Sequence, residues 1–198
     1  MNMIGPCRRA PRGPAAFIWG SAVFARFAAA CAVLLAIAAF APMPARAAED
    51  DPSFVTFQAG AFDLLQNHNK AGAFAMEYRD NSKLWIFKPF FGAMGTTDGA
   101  AHGYGGILVD LYFGRRVVFT LSFAPGLYHD GKGAQLGFPL EFRSAGELAY
   151  RFDDRSRLGF MINHISNASL GNRNPGTEVM MLSYSVPFAS MLGAKGSK

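Results

Sequence analysis

Short segments in which apolar and polar residues alternate recur along the chain and are separated by turn residues. In 107–113, for example, Ile, Val, Leu and Phe occupy the odd-numbered positions, and Asp110 lies on the opposite face. Side chains of a β-strand point alternately to its two faces, so a period of two predicts strands with one apolar face. Segments of about ten such residues are typical of transmembrane β-barrels. Since no long run has helical periodicity, the pattern predicts an all-β fold.

The face opposite the apolar one carries charge in the second half of the chain. In 138–152 the two faces are Leu140, Phe142, Leu148, Tyr150 and Phe152 against Glu141, Arg143, Glu147 and Arg151. In a narrow barrel such charges can pair across the lumen while the apolar face meets lipid. A soluble β-sandwich or calyx barrel would show the same alternation with its charges in water. The 19 Phe residues of the chain and an export signal favour the membrane barrel.

Eight strands account for the alternating segments. Their predicted positions are 53–65, 70–79, 83–95, 102–113, 116–128, 138–152, 156–166 and 178–188. Tight turns alternate with longer polar connections, as expected when periplasmic turns are short and external loops are free. We therefore predict an eight-stranded antiparallel transmembrane β-barrel of the outer membrane over 48–188, with a C-terminal tail over 189–198.

The first 47 residues have the organisation of an export signal. Arginines supply a positive region, and 27–40 is an uncharged apolar run, shorter than the roughly twenty residues that a membrane-spanning helix needs. The segment ends in Ala45-Arg46-Ala47, a small-x-small cleavage pattern. Cys31 raises the alternative of a lipid anchor, but Ala28 is unfavourable three residues before it. We expect 1–47 to be removed as a signal peptide.

Removal of this segment changes the charge balance. Five of the 19 Lys and Arg residues lie in it, which leaves 14 basic against 14 acidic residues and lowers the formal net charge from +5 to zero. The basic character of the full chain therefore gives no reason to expect a nucleic-acid partner. Both cysteines lie in the same segment, so the exported chain must be stable without a disulfide.

The motif with the clearest chemistry is His164-Ile165-Ser166-Asn167, followed after a polar loop by Glu178. Alternation puts His164, Ser166 and Glu178 on the apolar faces of two neighbouring strands, so we expect them to face lipid. Opposed side chains of antiparallel strands lie about 5 Å apart, and Glu178 can come opposite either His164 or Ser166. A serine nucleophile needs a base, and the base needs a partner that fixes its tautomer. Ser166, His164 and Glu178 can fill these three roles.

Acyl transfer also needs donors for the oxyanion that forms when a serine attacks an ester. Asn174 is the candidate side-chain donor, and the backbone N–H of Asn167 or Ala168 is the candidate second donor. Pro175-Gly176 would fix the loop that presents Asn174. Each residue alone is more often a turn, interface or rim residue. Their joint placement on a lipid-facing surface predicts catalysis, because ionisable groups that face lipid are costly.

The export signal, the eight-strand plan and the motif of 164–178 together resemble the PagL-type lipid A 3-O-deacylases of Gram-negative outer membranes. The resemblance covers essentially the whole exported chain in size and plan, while its specific motif is confined to 164–178. It implies that Ser166 is the nucleophile, His164 its base, Glu178 the third member of the triad and Asn174 part of the oxyanion hole. The chain departs from the usual barrel pattern because ten residues follow its last aromatic residue, Phe188.

A site on the outer wall near the external loops meets the molecules of the outer leaflet, where lipopolysaccharide dominates. We expect the acyl chains to contact apolar wall residues, namely Phe160, Ile162, Met180 and Leu182. An acyl chain that moves from the lipid phase onto the wall does not move out of water, so apolar contact contributes little net affinity. Specificity must then come from the head group, whose phosphates could meet Arg173, Lys132 or His129.

No cofactor is expected, because the sequence has no Gly-rich phosphate loop and its histidines lack ligand spacing, at His68, His102, His129 and His164. The leading hypothesis is a serine esterase that releases a 3-hydroxy fatty acid from lipid A. The alternatives are an outer-membrane phospholipase or acyltransferase, and a non-catalytic structural or adhesion barrel, although the loops are short for adhesion. The sequence leaves open the preferred acyl length and whether the barrel forms a homodimer.

Overall fold

The computed structural model describes residues 51–65 and 70–193, so the predicted signal peptide lies outside the described residues. Eight antiparallel strands form a closed barrel in which β1 pairs with β8. The elements are β1 Phe54–Phe62, β2 Ala71–Arg79, β3 Lys88–Thr96, β4 Ala101–Phe113, β5 Val117–His129, β6 Leu140–Arg151, β7 Arg157–Ser166, β8 Thr177–Pro187 and a short helix, α1, Phe188–Met191. The predicted fold class is thus confirmed. In the part of the chain that the structure describes, no helix is long and apolar enough to cross a membrane.

Most strand limits differ from the prediction by one to three residues, and the start of the third strand differs by five. Residues 83–87 were expected to begin the third strand, but Leu84 and Phe87 pair with each other around Trp85, whose φ is 63°. The chain reverses there, and β3 begins only at Lys88. The last strand ends at Pro187, which has no N–H to continue a ladder, and Phe188 starts α1 instead of closing the strand.

The outer wall is apolar, as the alternation predicted. Exposed large apolar side chains follow one another along the strands, among them Phe57, Phe74, Met76, Phe91, Ile107, Phe113, Phe123, Leu148, Leu158, Phe160, Leu182 and Tyr184. A membrane barrel presents such a wall to lipid.

The inner wall is charged and buried. All four charged residues predicted on the second face of β6 point inward, namely Glu141, Arg143, Glu147 and Arg151. Ion pairs join inner-wall residues of different strands. Arg79 of β2 meets Glu147 of β6 at 2.6 Å, and Lys88 of β3 meets Asp110 of the adjacent β4 at 2.9 Å. Buried charges are tolerated when they are paired in this way.

The connections that follow β1, β3, β5 and β7 share one end of the barrel, the loop end, and those after β2, β4 and β6 share the other, the turn end. The connection between β5 and β6 folds into the barrel at the loop end. Its residues Ala134 and Leu136 are buried and pack in one cluster with Phe62, Ile165 and Val179. The loop end of the lumen is therefore filled where the predicted site residues lie.

Candidate active site

His164 and Glu178 lie directly opposite each other in the antiparallel pair of β7 and β8. The imidazole Nδ1 is 3.2 Å from Glu178 Oε1, and the two side chains are 19% and 20% exposed. Of the two partners that the sequence left open for Glu178, the register selects His164. The exposed residues Leu158, Phe160 and Ile162 lie on the same face of β7 as His164, because side chains of a strand alternate between its two faces. The imidazole therefore belongs to the outer wall.

Ser166 is the last residue of β7 and pairs with Phe142 of β6. It shares the parity of His164, but it is only 3% exposed, so neighbouring atoms cover it. The strand β6 also places Ser144 directly opposite His164. The imidazole therefore has a carboxylate on one side and a second serine on the other.

The loop after β7 begins with a tight turn in a strained conformation. Leu170 N donates to Asn167 O at 3.0 Å, and the two central residues, Ala168 and Ser169, have φ of 52° and 65°. Positive φ at both central positions of a turn is usually left to Gly, Asn or Asp. Strain of this kind is held in place by surrounding contacts and is concentrated at functional sites.

The side chain of Asn167 supplies those contacts. It is fully buried, its Nδ2 donates to Leu136 O and Arg173 O at 2.8 Å each, and its Oδ1 accepts from Ser169 N at 3.0 Å. One side-chain amide thus joins the loop after β7 to the connection between β5 and β6. The backbone N–H groups that follow Ser166 are fixed by this arrangement.

Asn174 reaches back to the same turn. Its Oδ1 accepts from Asn167 N at 3.1 Å, and its Nδ2 donates to Ser169 Oγ at 3.5 Å. Of the two backbone donors proposed from the sequence, the Asn167 N–H is therefore engaged by Asn174. The other two donors predicted from the sequence are the Ala168 N–H and the Asn174 Nδ2 group.

Gly176 lies against the imidazole edge. A Cβ at this position would be 2.9 Å from His164 Cε1 and 3.3 Å from Nε2, and its φ is +66°. Both the close approach and the left-handed conformation require glycine. The backbone of the loop therefore limits how far the ring of His164 can turn.

The predicted substrate-contacting residues lie on the outer wall around the site. Phe160 and Ile162 face Leu182 and Met180, respectively, across β7 and β8. Leu182 also lines an apolar groove that extends across the wall to β1 and β2 and includes Phe57, Ala59, Phe74, Leu158 and Tyr184. Arg173 and Lys132 in the loops and His129, the last residue of β5, are exposed.

The sequence pattern did not identify three features of the site. Ser144 could have been found, because the alternation of β6 gives it the parity of Phe142. The contact of Gly176 with His164 and the two loops joined by Asn167 depend on how the loops fold, and no sequence period encodes that. Among residues 51–65 and 70–193, no group of three His, Cys, Asp or Glu side chains could hold a metal ion, and His68 lies outside these ranges.

The comparisons agree with this architecture. A family model described as Lipid A 3-O-deacylase (PagL) matches residues 71–187. The crystal structure of the outer membrane enzyme PagL is similar in fold, with a TM-score of 0.54 and 16% sequence identity, over 68% of this chain and 99% of that one. No curated protein matches the chain significantly in sequence. Because the family model covers more than half of the chain, this protein belongs to the PagL family of lipid A 3-O-deacylases.

Proposed function

We propose that this chain is a serine hydrolase that removes the ester-linked 3-position acyl chain of lipid A through Ser166, His164 and Glu178. Membership of the family supports the reaction class. The assignment of residues rests on one observation: His164 Nδ1 lies 3.2 Å from Glu178 Oε1 on the outer wall, two residues from a serine of the same parity.

In the proposed mechanism the Ser166 hydroxyl attacks the ester carbonyl while His164 Nε2 takes its proton. Glu178 accepts from the Nδ1–H, which fixes the tautomer and stabilises the imidazolium. Collapse of the tetrahedral intermediate breaks the ester C–O bond, and His164 gives the proton it took from Ser166 to the departing 3-oxygen of the sugar, which leaves as a hydroxyl. Water, deprotonated by the same imidazole, then hydrolyses the acyl-enzyme and releases the 3-hydroxy fatty acid.

The oxyanion of each tetrahedral intermediate would lie between the Asn174 amide and the Ala168 N–H. The hydrogen bonds of Asn167 hold the strained turn in advance of substrate binding, so little reorganisation is needed during the reaction. Donors fixed in this way stabilise a developing charge better than mobile ones do.

The location of the site supports a lipid substrate. An ester presented to Ser166 must approach along an apolar wall, and the acyl chains of an outer-leaflet lipid already lie along such a wall. The outer-wall residues that would contact the chains are Phe160, Ile162, Met180 and Leu182. The phosphates would meet Arg173 and other cationic loop residues at the loop end, which we assign to the external side of the outer membrane. Export would remove 1–47 and leave the barrel of 48–188.

Purified barrel in detergent, incubated with lipid A, tests the proposal through the release of free 3-hydroxy fatty acid. Ser166→Ala should abolish release while the barrel remains folded, as shown by its heat-modifiable migration. Ser144→Ala is the matched control, since Ser144 also faces His164; it should keep near-wild-type release. The reverse result would make Ser144 the nucleophile, and release by both variants would exclude the triad. Transfer of the acyl chain to a second lipid instead of release would indicate an acyltransferase.

A further inference from the structure

Apolar side chains extend beyond the outer wall on one side of the turn end. Leu84 and Trp85, at the tip of the connection between β2 and β3, are 82% and 73% exposed. Phe188, Met191 and Leu192 follow β8 and are exposed as well. Large exposed apolar areas of a folded protein mark contacts with a membrane or a partner. We define the turn-end patch as Leu84, Trp85, Phe87, Phe188, Met191 and Leu192.

Hydrogen bonds bring the two parts of the turn-end patch to the same side of the barrel. Ser53, which precedes β1, accepts from the Phe188 N–H through its carbonyl oxygen at 2.8 Å. The Ser53 hydroxyl donates to Asp80 Oδ1 at 3.0 Å and accepts from the Asn81 N–H at 3.1 Å. The chain after β8 and the connection after β2 therefore begin next to the same residue.

The turn-end patch is continuous with the lipid-facing outer wall. Phe87 directly precedes β3 and, by alternation, shares the outward face of the exposed Phe91. The ring of Trp85 lies against that of Phe87, with the two centroids 5.9 Å apart. On the wall itself, the ring of Tyr78 contacts Phe91 at 5.5 Å and Phe188 at 5.4 Å. Aromatic side chains thus extend from the outer wall to both parts of the patch.

The other two connections at the turn end are charged. Arg115 and Arg116 lie between β4 and β5, and Asp153, Asp154 and Arg155 lie between β6 and β7. Arg116 and Asp153 pair at 2.7 Å and join the two connections, with side chains 45% and 86% exposed. Charged groups of this kind remain in water, so the apolar character belongs to one side of the turn end and is not shared by all of its turns.

The backbone at the tip holds Trp85 outside the barrel. Leu84 and Phe87 exchange two backbone hydrogen bonds around it, at 2.9 and 3.2 Å. Trp85 has a φ of 63°, a left-handed conformation that is rare for an aromatic residue. Hairpin turns that need a positive φ favour Gly, Asn or Asp, and strain of this kind is concentrated where it serves a function. The bulky residue at this position therefore needs a reason that the turn itself does not give.

We propose that the turn-end patch is an interfacial membrane anchor, whose Leu84–Trp85 tip inserts among the head groups and upper acyl chains of the leaflet around the turn end. Tryptophan suits this zone, because its ring is apolar and its N–H can donate to a head group. Lipid is the occupant because the patch continues the lipid-facing wall. The anchor fixes the depth of the barrel in the bilayer, and the closed barrel transmits that depth to the loop end.

The fluorescence of Trp85 tests the anchor directly, since Trp85 is the only tryptophan after residue 47. The exported chain is placed in phosphatidylcholine vesicles at a high ratio of lipid to protein, so that no second copy covers the patch. The indole emission should shift to shorter wavelength than in water. Lipids brominated near the head groups should quench it more strongly than lipids brominated near the bilayer centre. Emission typical of water without quenching by either lipid, or stronger quenching from the bilayer centre, would overturn the proposal.

A single thiol at the tip gives a second readout, because the chain after residue 47 has no cysteine. N-ethylmaleimide crosses the bilayer but reacts with the hydrated thiolate, so it reports contact with water on either side. Leu84→Cys should react slowly in the same vesicles and rapidly after unfolding in urea. Arg115→Cys is the matched control, since Arg115 lies in a charged connection of the turn end, and it should react rapidly in both. Equal rapid reaction of the two folded variants would overturn the anchor.

The effect on depth rests on the proposed function for its readout. The double variant Leu84→Ser, Trp85→Ser should lower kcat/KM for lipid A severalfold in vesicles and leave it unchanged in detergent micelles, where no bilayer sets a depth. Arg115→Ser should keep the wild-type value in both. No loss in vesicles, or an equal loss in micelles, would overturn the depth role. If the wild type does not hydrolyse lipid A but Trp85 is quenched as expected, the proposed function fails and the anchor stands.

Discussion

The imidazole of His164 and the carboxylate of Glu178 face each other across β7 and β8, with Nδ1 3.2 Å from Oε1. A carboxylate at Nδ1 favours the tautomer with its proton there and leaves Nε2 as the base. Both side chains belong to the outer wall, where an ionisable pair that faces lipid costs free energy and is therefore expected to have a function. The contact therefore links the register of two strands to the chemistry that the site can perform.

Glu178→Gln tests the electrostatic part of this contact. Glutamine keeps the size and an acceptor, but it cannot stabilise the imidazolium, so kcat should fall on the order of 10²-fold or more with KM little changed. Steady-state release of 3-hydroxy fatty acid by folded barrel measures the effect. Unchanged kcat would remove Glu178 from the mechanism.

Gly176→Ala tests the close packing of the loop on His164. The new Cβ would lie 2.9 Å from Cε1 at a φ of +66°, so the ring must move, and kcat should fall roughly tenfold to a hundredfold. Gly114→Ala is the control, since that glycine has a φ of +68° with nothing within 4 Å of the added Cβ. It carries the same backbone strain and should keep its activity. Equal losses in both variants would mean that strain, and not the contact with His164, is responsible.

Asn174 has two separable roles. Its Oδ1 accepts from Asn167 N, while its Nδ2 is the proposed oxyanion donor. Asn174→Asp keeps the acceptor and loses the donor, so kcat should fall about 10²- to 10³-fold, the usual effect of removing one such donor. If Asn174→Asp retained activity and Asn174→Ala lost it, the role of Asn174 would be to hold the turn.

The lumen network should determine stability and not catalysis. Asp110 bonds both Lys88 and Arg157, so Asp110→Ala leaves buried cations underpaired and should lower the free energy of unfolding by about 3–5 kcal/mol. Asp153→Ala breaks an exposed pair with Arg116 and should cost less than about 1 kcal/mol. Urea unfolding in a lipid or detergent environment measures both. Similar small losses of unfolding free energy in the two variants would show that the lumen network contributes little to stability.

Alternation along the sequence was sufficient for the barrel, and it placed His164 and Glu178 on the outer wall. The expectation that Ser166 also faces lipid was not met, because Ser166 is only 3% exposed and neighbouring atoms cover it. Alternation correctly placed the apolar outer wall and the charged inner face of β6, because lipid and lumen impose opposite requirements on alternate residues.

Alternation was wrong at 83–87, where the apolar residues 84–87 suggested a strand although the chain reverses at Trp85. It also left two partners open for Glu178, since a register depends on the length and folding of the loop between the strands. The contacts of Asn167 join two loops that are distant in sequence, so only the folded chain brings them together.

Mass spectrometry of lipid A from a Gram-negative host tests the central claim most directly. Cells that express this chain should lose one 3-hydroxyacyl unit from lipid A, and cells that express Ser166→Ala should keep it. Unchanged lipid A in both, with the barrel folded in the outer membrane, would contradict the assignment of this substrate. Loss of the acyl unit in both would contradict the assignment of the nucleophile.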